Sequence, residues 1–219
     1  MTDTAAGTRI PTGKAQIGER CFVADSARLA VASEATLLAM TREGREPDPR
    51  EVTVGDGTLL LDGVVVQEGS TIGADCYVGR SVHIGFDCEI GDRCRMEYRA
   101  EICDRVRIGD GTVIGGFVCD GAELGADCVM LGSLVHSVRE PDLPWGQFEP
   151  DPILADRVFV GRGAVVVGGI VVGNGAYVAA NATVTKDVPD DHVAIGTNRF
   201  VPIAEWHGKL ERKSWSGVS

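Results

Sequence analysis

The sequence predicts an all-β solenoid of triangular coils, and three observations carry that expectation. Aliphatic side chains recur at six-residue intervals over most of the 219-residue chain. A second, mostly small residue follows each of them by four positions. Glycine, with 29 residues, stands well above its usual share of roughly 7%. A stretch so broken by glycine makes a poor helix and is far too long for one strand. A short fixed period over most of a chain is the signature of a β-helix, each hexad being a short strand and a tight turn.

The longest unbroken series is Val54, Leu60, Val66, Ile72, Val78, Ile84, Ile90, Met96, Ile102, Ile108 and Ile114. Three hexads are expected to close one coil, so that every third member of the series stacks on its predecessor. The small slot holds Thr58, Val64, Ser70, Cys76, Val82, Cys88, Cys94, Ala100, Val106, Thr112 and Val118. Cys21 and Cys128 fall in the same slot, counted from Ile17 and Leu124. These five cysteines are read as small buried residues rather than disulfide partners. Glycine often follows the aliphatic residue directly, and is expected to relieve a corner where φ is positive. The series shifts phase after Ile114, resumes at Leu124 and Met130, and returns from Leu154 to Val184. A weaker start is Ile17, Val23 and Leu29.

Two interruptions break the period, and a solenoid tolerates insertions only at its corners. The first, about residues 35–53, contains "TREGREPDPRE" and reads as an exposed loop, either a solvated excursion or one wall of an acceptor pocket. The second, residues 136–153, reads "HSVREPDLPWGQFEPDPI". It opens with a histidine, is stiffened by four prolines, and carries Trp145 and Phe148, which need something to pack against. After the last coil, Ile203, Trp206 and Leu210 have helical spacing, which predicts a terminal helix within the 201–219 tail, over the open end.

The hexads resemble those of the hexapeptide-repeat acyltransferases, whose motif is aliphatic-Gly-x-x-small-x. The similarity runs from residue 17 to about residue 196 and is strongest in "VFVGRGAVVVGGIVVGNGAYVAANATVTKDVPDDHVAIG". Sugar and xenobiotic acetyltransferases of this class carry a histidine, an extended loop, and then such a block ending in T-K-D-[IV]-P. Here those parts are His136, the loop to Ile153, and Thr185 to Pro189. The resemblance implies a left-handed parallel β-helix, although the usual crossover rule favours the right hand. It also implies a homotrimer with active sites between subunits, acetyl-CoA or another acyl-CoA as co-substrate, and no metal. Carried over by position, the cofactor-binding residues would be Phe159, Gly161, Ala179, Ala180, Thr185 and Lys186; Arg162, with Lys186 and Arg199, could supply local positive potential for the phosphates of coenzyme A. The family often continues G-x-P-A/C-R after the last coil. This chain reads "GTNRF" instead, leaving Arg199 as the substitute.

The chemistry fits one histidine. Acyl transfer from a thioester needs a deprotonated acceptor and donors for the oxyanion of the tetrahedral intermediate. A neutral imidazole, with an unperturbed pKa of about 6.5, suits the first task. His136 is therefore the expected base, with His83 the alternative and His192 and His207 read as bland. Glu97, Tyr98, Glu101 and Asp120 lie where the motif weakens before His136, and with Trp145 they are the candidate acceptor-binding residues. A formal net charge of −11 argues against nucleic-acid binding and mildly favours a neutral or cationic acceptor. No apolar run is long enough to span a bilayer and no signal peptide is evident, so a cytoplasmic location is expected. Two other readings remain open. One is a zinc-dependent trimer resembling carbonic anhydrase, which would need three histidine ligands. The other is a non-catalytic platform.

Overall fold

The protein is described here from a computed structural model, which covers residues 10–137 and 150–207. Within them the chain winds as a left-handed parallel β-helix. Three sheets of eight, ten and eight strands form its walls, and the strands are two to four residues long. The first face starts at Ala15–Ile17 and ends at Val171–Val172. The second runs from Phe22–Val23 to Tyr177–Val178 and beyond. The third runs from Arg28–Val31 to Thr183–Val184. Successive strands visit the faces in turn, so residues one full coil apart pair in register: Ile72 with Ile90, Val78 with Met96, Ile84 with Ile102.

All six of those side chains point into the prism and are buried, each contributing on the order of 1.5–3 kcal/mol. The small slot is buried as expected except at Cys21, which is half-buried in the first coil, and it is also a column of hydrogen bonds. Thr58 Oγ1 and Ser70 Oγ donate to the carbonyls of Gly73 and Gly85 at 2.8 and 2.7 Å. Cys76, Cys88 and Cys94 donate through sulfur to the carbonyls of Gly91, Cys103 and Gly109 at 3.2, 3.0 and 3.2 Å. Burial pushes the Cys88 thiol up to about 12, so it stays protonated and inert.

Two expectations about the repeat are corrected. The glycines that follow the aliphatic residue do not occupy the left-handed region. Gly73 is required by proximity instead: a Cβ there would lie 2.6 Å from the backbone of Gly91, one coil on. The left-handed residue comes two positions later, as Gly57 with φ 69° or Asp75 with φ 54°. Val118 leaves the small slot, because the coil through Gly115 and Gly116 is shorter. Ile108 there pairs with Leu124 and Ile102 with Val118, which puts Val118 in the inward aliphatic column between Ile102 and Leu134. In the first coil an extra residue within Arg28–Val31 buries Ala30, leaving Leu29 half-exposed.

The first interruption is not all loop. Residues Glu34–Glu43 form a helix, α1, capped by Ser33, whose side chain accepts from Thr36 N, and ended by Gly44 at φ 66°. The two ends of the insertion, the start of α1 and the return at Arg50, are held by one buried carboxylate. Glu68 accepts from Ser33 N at 2.8 Å, from Thr36 Oγ1, and from Arg50 N at 2.9 Å. At the other end of the prism the chain turns back. His192–Ile195 pairs antiparallel with Arg199–Pro202, and a 3-10 turn follows at Ile203–Glu205. This added strand, rather than a helix among the described residues, lies on the last parallel strand of the second face. Leu210 falls outside the described residues. Among the described residues no helix is long and apolar enough to cross a membrane.

Burial alone would raise the Glu68 carboxyl, but its hydrogen bonds to Ser33, Thr36 and Arg50 outweigh burial and hold it down to about 2, against 4.5 when free. A carboxyl depressed on folding stabilises the protein above its free value and loses that contribution as pH falls through the folded one. The contribution amounts to about 3 kcal/mol at neutral pH. Glu68→Gln should therefore be less stable than wild type in urea unfolding at pH 7. The gap should close as pH falls from about 4.5 towards 2; a gap that stays constant over that range contradicts this account.

Candidate active site

The corners carry the polar groups. Along the edge that follows the first face, side-chain oxygens form a ladder. Asp92, Asp110, Asp156 and Asp190 each accept a backbone N–H from the preceding coil at 2.7–2.9 Å. The edge that follows the third face repeats the device: Phe86 N donates to Asp104 and Asp104 N to Asp120, at 3.1 and 3.0 Å. The next position in that column, two residues past Leu134, is His136. An imidazole thus stands where the two previous coils place a carboxylate.

His136 lies at the base of the second insertion. The return strand brings Asp151 back to it, with Oδ1 3.6 Å from Nδ1. That ring nitrogen is buried without a hydrogen bond, while the side chain as a whole stays a third exposed. Gly168 fits beneath this crossing. A Cβ on it would lie 2.3 Å from Pro150 O, 2.9 Å from Ser137 N and 3.3 Å from His136 Cα. Burial raises the Asp151 carboxyl above its ordinary value, and the nearby His136 and Arg105 pull it back down. Arg105 also pairs with Asp120 at 3.7 Å. Asp151 was not singled out from sequence. Its only signal is its place between Pro150 and Pro152 at the end of the insertion.

The other expected site residues divide between two edges of the prism. Thr185 and Lys186 follow the third face, as His136 does. Thr185 N donates to Asn198 Oδ1 at 2.8 Å and Asn198 Nδ2 to Thr185 Oγ1 at 2.7 Å, which ties the hairpin turn and its exposed Arg199 to this end of the edge. Lys186 is exposed. Gly161, Arg162, Ala179 and Ala180 lie instead on the edge between the second and third faces. A Cβ on Gly161 would meet Ala180 N at 2.6 Å. Phe159 faces outward from the second face and stacks on Tyr177, ring centroids 4.5 Å apart and nearly parallel.

The proposed acceptor residues are not all together. Glu101 and Asp120 share a cleft of about 220 Å³ with His83, Gln67, Asp104 and Glu34. Glu97 and Tyr98 sit on the other edge. Glu97 is paired with Arg95 at 2.6 Å, and Tyr98 is exposed, with the Arg99 guanidinium 5.8 Å from its ring centre. Trp145 and Phe148 fall outside the described residues. Among the described residues, no three His, Cys, Asp or Glu side chains gather as a metal centre requires.

The fold is that of a left-handed β-helix wound from six-residue repeats. The resemblance read from the sequence is borne out: residues 151–186 match the family model described as bacterial transferase hexapeptide (six repeats). Among curated proteins, the bifunctional protein GlmU of Brevibacillus brevis is 35% identical over 109 residues, 49% of this chain and 22% of its own. GlmU of Caldanaerobacter subterraneus is 30% identical over 190 residues, 71% of this chain and 40% of its own. The chain thus spans less than half the length of these relatives. Among solved structures, a UDP-N-acetylglucosamine acyltransferase from Campylobacter jejuni aligns with a TM-score of 0.45 and 16% identity, over 85% of this chain and 68% of its own.

Proposed function

We propose that the protein is an acyl-CoA-dependent acyltransferase with His136 as general base. The observation that carries this reading is the placement of His136: an imidazole replaces the ladder carboxylate at the base of the main insertion, with Nδ1 turned to Asp151. With Nδ1 facing this carboxylate rather than the acceptor, Nε2 is left to take a proton from the acceptor as its oxygen or nitrogen attacks the thioester carbonyl. The tetrahedral intermediate then collapses. Its C–S bond breaks, and the leaving thiolate takes the proton back from His136. A backbone N–H at the corner would hold the oxyanion meanwhile. Asp151 is a positioning residue in this scheme, fixing the ring's tautomer and orientation.

Lys186 and Arg199 would meet the cofactor's phosphates. The edge of Gly161, Arg162, Ala179 and Ala180, narrowed to backbone width, would take the pantetheine arm, with Phe159 and Thr185 beside it. This edge and the one carrying His136 are separated by the whole third face of one chain. A complete site therefore calls for the corner of one subunit to meet that of a neighbour, which a cyclic homotrimer in the cytoplasm would supply. The matched family model, described as bacterial transferase hexapeptide, supports the transferase class, and acetyl is the default acyl group. The acceptor is a small polar molecule.

Thiol release from acetyl-CoA in the presence of a panel of sugars, amino sugars and amino acids tests the reading. His136→Ala should lose at least about 10²-fold in kcat with its circular dichroism and melting temperature unchanged. Asp151→Asn should lose less, and Lys186→Ala should weaken CoA binding by about tenfold. Full activity in His136→Ala removes the base. A second measurement tests the shared site. His136→Ala and Arg162→Ala, each poorly active alone, should regain activity when unfolded and refolded together, because mixed assemblies contain intact edges side by side. No recovery from verified mixed assemblies would place the whole site within one chain.

A further inference from the structure

One edge of the prism is cut back over two coils. In the second sheet the inward residues Met96, Ile114, Met130 and Val160 stack in register, and in the third sheet Ile102, Val118, Leu134 and Val166 do the same. The step between the two sheets is six residues from Met96 to Ile102, and again from Val160 to Val166. It is only four from Ile114 to Val118 and from Met130 to Leu134. Two residues are thus missing from each of two consecutive corners, which shrink to Gly115–Gly116 and Leu131–Gly132. At ~4.8 Å per strand the resulting notch is about 10 Å tall.

Its floor is backbone and one leucine. A Cβ on Gly116 would strike Gly132 O, and one on Gly132 would lie 2.9 Å from Gly161 O. The Leu131 side chain covers Gly115, where a Cβ would come within 2.8 Å of Cδ2, and the stem of Glu97 stands 3.7 Å from the same point. On one side of the notch is the full-length corner of Glu97, Tyr98 and Arg99. The Glu97 carboxylate is held by Arg95 at 2.6 Å, and Arg95 lies over the Tyr77 ring, 4.4 Å from its centre. Tyr98 is 65% exposed, more than any other large apolar side chain among the described residues. On the other side the edge continues as Gly161, Arg162, Ala179 and Ala180, the track proposed above for the pantetheine arm.

The height of the notch decides what it meets. Leu131–Gly132 leads into Ser133–Val135, and His136 follows that strand, so notch and imidazole lie on one coil at opposite edges of the third face. Rotation about an axis parallel to the prism carries each residue onto a neighbouring copy without changing its height. Where the two edges of adjoining copies meet, His136 of one therefore comes opposite the notch of the other. Corners of regular length would fill that space with two more residues in each coil.

We propose, resting on the shared-site acyltransferase reading, that the notch is the reaction chamber. The acyl end of the cofactor enters it from the Gly161 side, the acceptor from the Tyr98 side, and His136 of the adjoining copy closes it. Glu97 and Tyr98 then determine which acceptor is used. An aromatic face beside a fixed carboxylate fits a hydroxylated ring, with its C–H surface on Tyr98 and one hydroxyl donating to Glu97.

Cross-linking and kinetics test this separately. Tyr98→Cys/His136→Cys treated with a short bis-maleimide should give covalently joined chains on a denaturing gel. Neither single variant should, nor wild type, whose described cysteines are all buried or half-buried. Inserting Ser-Gly between Gly115 and Gly116 restores a regular corner and fills the notch, at a place where a solenoid accepts added residues. With acetyl-CoA and glucose, glucosamine or serine as acceptor, this variant should lose at least about 10²-fold in kcat/KM while its calorimetric Kd for CoA is kept. Leu131→Trp crowds the same space at constant chain length and should behave alike, which covers failure of the insertion to fold. Tyr98→Ala should raise the acceptor KM about tenfold, with a smaller change in kcat. No cross-link between chains, or wild-type kcat/KM in a folded filled-notch variant, overturns the inference and leaves the transferase reading standing. If wild type releases no thiol with any of the three acceptors, the transferase reading fails and the chamber falls with it, whether or not the cross-link forms.

Discussion

The structure depends on one repeated backbone hydrogen bond. Gly55 N donates to Ile72 O, Gly73 N to Ile90 O, Gly91 N to Ile108 O, Gly109 N to Leu124 O and Gly125 N to Leu154 O, all at 2.7–2.9 Å. Each bond joins one coil to the next, and the series spans the whole middle of the prism. Its last member bridges the second insertion without lengthening. The chain between Leu124 and Leu154 departs and returns, yet the ladder closes as though nothing had been added. This is possible because the departure occurs at a corner, outside the paired strands, and the returning chain resumes the bonding there, with Gly169 N donating to Asp151 O at 3.2 Å. A bulge inside a two-residue strand would leave buried N–H groups unpaired at about 1–3 kcal/mol each. Only the corners are therefore free to carry chemistry.

That constraint explains what was legible in the sequence and what was not. The inward column is nearly solid aliphatic, because every coil buries the same three positions. Its period survives in the sequence from Val54 to Ile114, and the fold class follows from it. The role of the motif glycines was misjudged. Composition shows that a residue must be small but not whether torsion or proximity demands it, and at Gly73 it is the backbone of Gly91 that does. Val118 was misplaced for a related reason. A corner shortened at Gly115–Gly116 shifts the phase, and a fixed count of six cannot register it. Helix α1 was hidden by the charged and proline-bearing half of its insertion, although Ser33, Glu34 and Gly44 supply cap signals at both ends.

Of the candidate site, the residues with strong chemical identity were the legible ones. His136 could be found because it opens the loop, and Lys186 because it sits in a recognisable block. Their common edge could not be found, since it depends on counting corners through an insertion and a phase shift. Asp151 and Glu68 were missed because acidic residues are common in this chain, and nothing local separates a carboxylate that orients an imidazole or clamps a helix from one facing solvent. Glu68 differs from the rest only in being buried with its oxygens fully occupied.

The corner ladder connects fold to chemistry. An aspartate at that position accepts a backbone N–H from the previous coil, a purely structural duty that Asp104 and Asp120 perform in succession. A histidine in the following coil breaks the run at the point where the chain leaves the prism for the insertion. The outgoing segment needs no partner of the regular kind, so the side chain there is released from holding coils together. The structure then returns a carboxylate to the same place by another route, as Asp151 arrives from the far end of the loop to face His136. Acid and imidazole that would be neighbours by ladder logic become a pair by loop closure. The pair can form because Gly168, having no Cβ, lets both ends of the loop pass close to one backbone. Replacing one ladder carboxylate with a ring, at a corner already committed to an excursion, is a small sequence change that leaves the helical wall undisturbed and places a titratable group beside an open cleft.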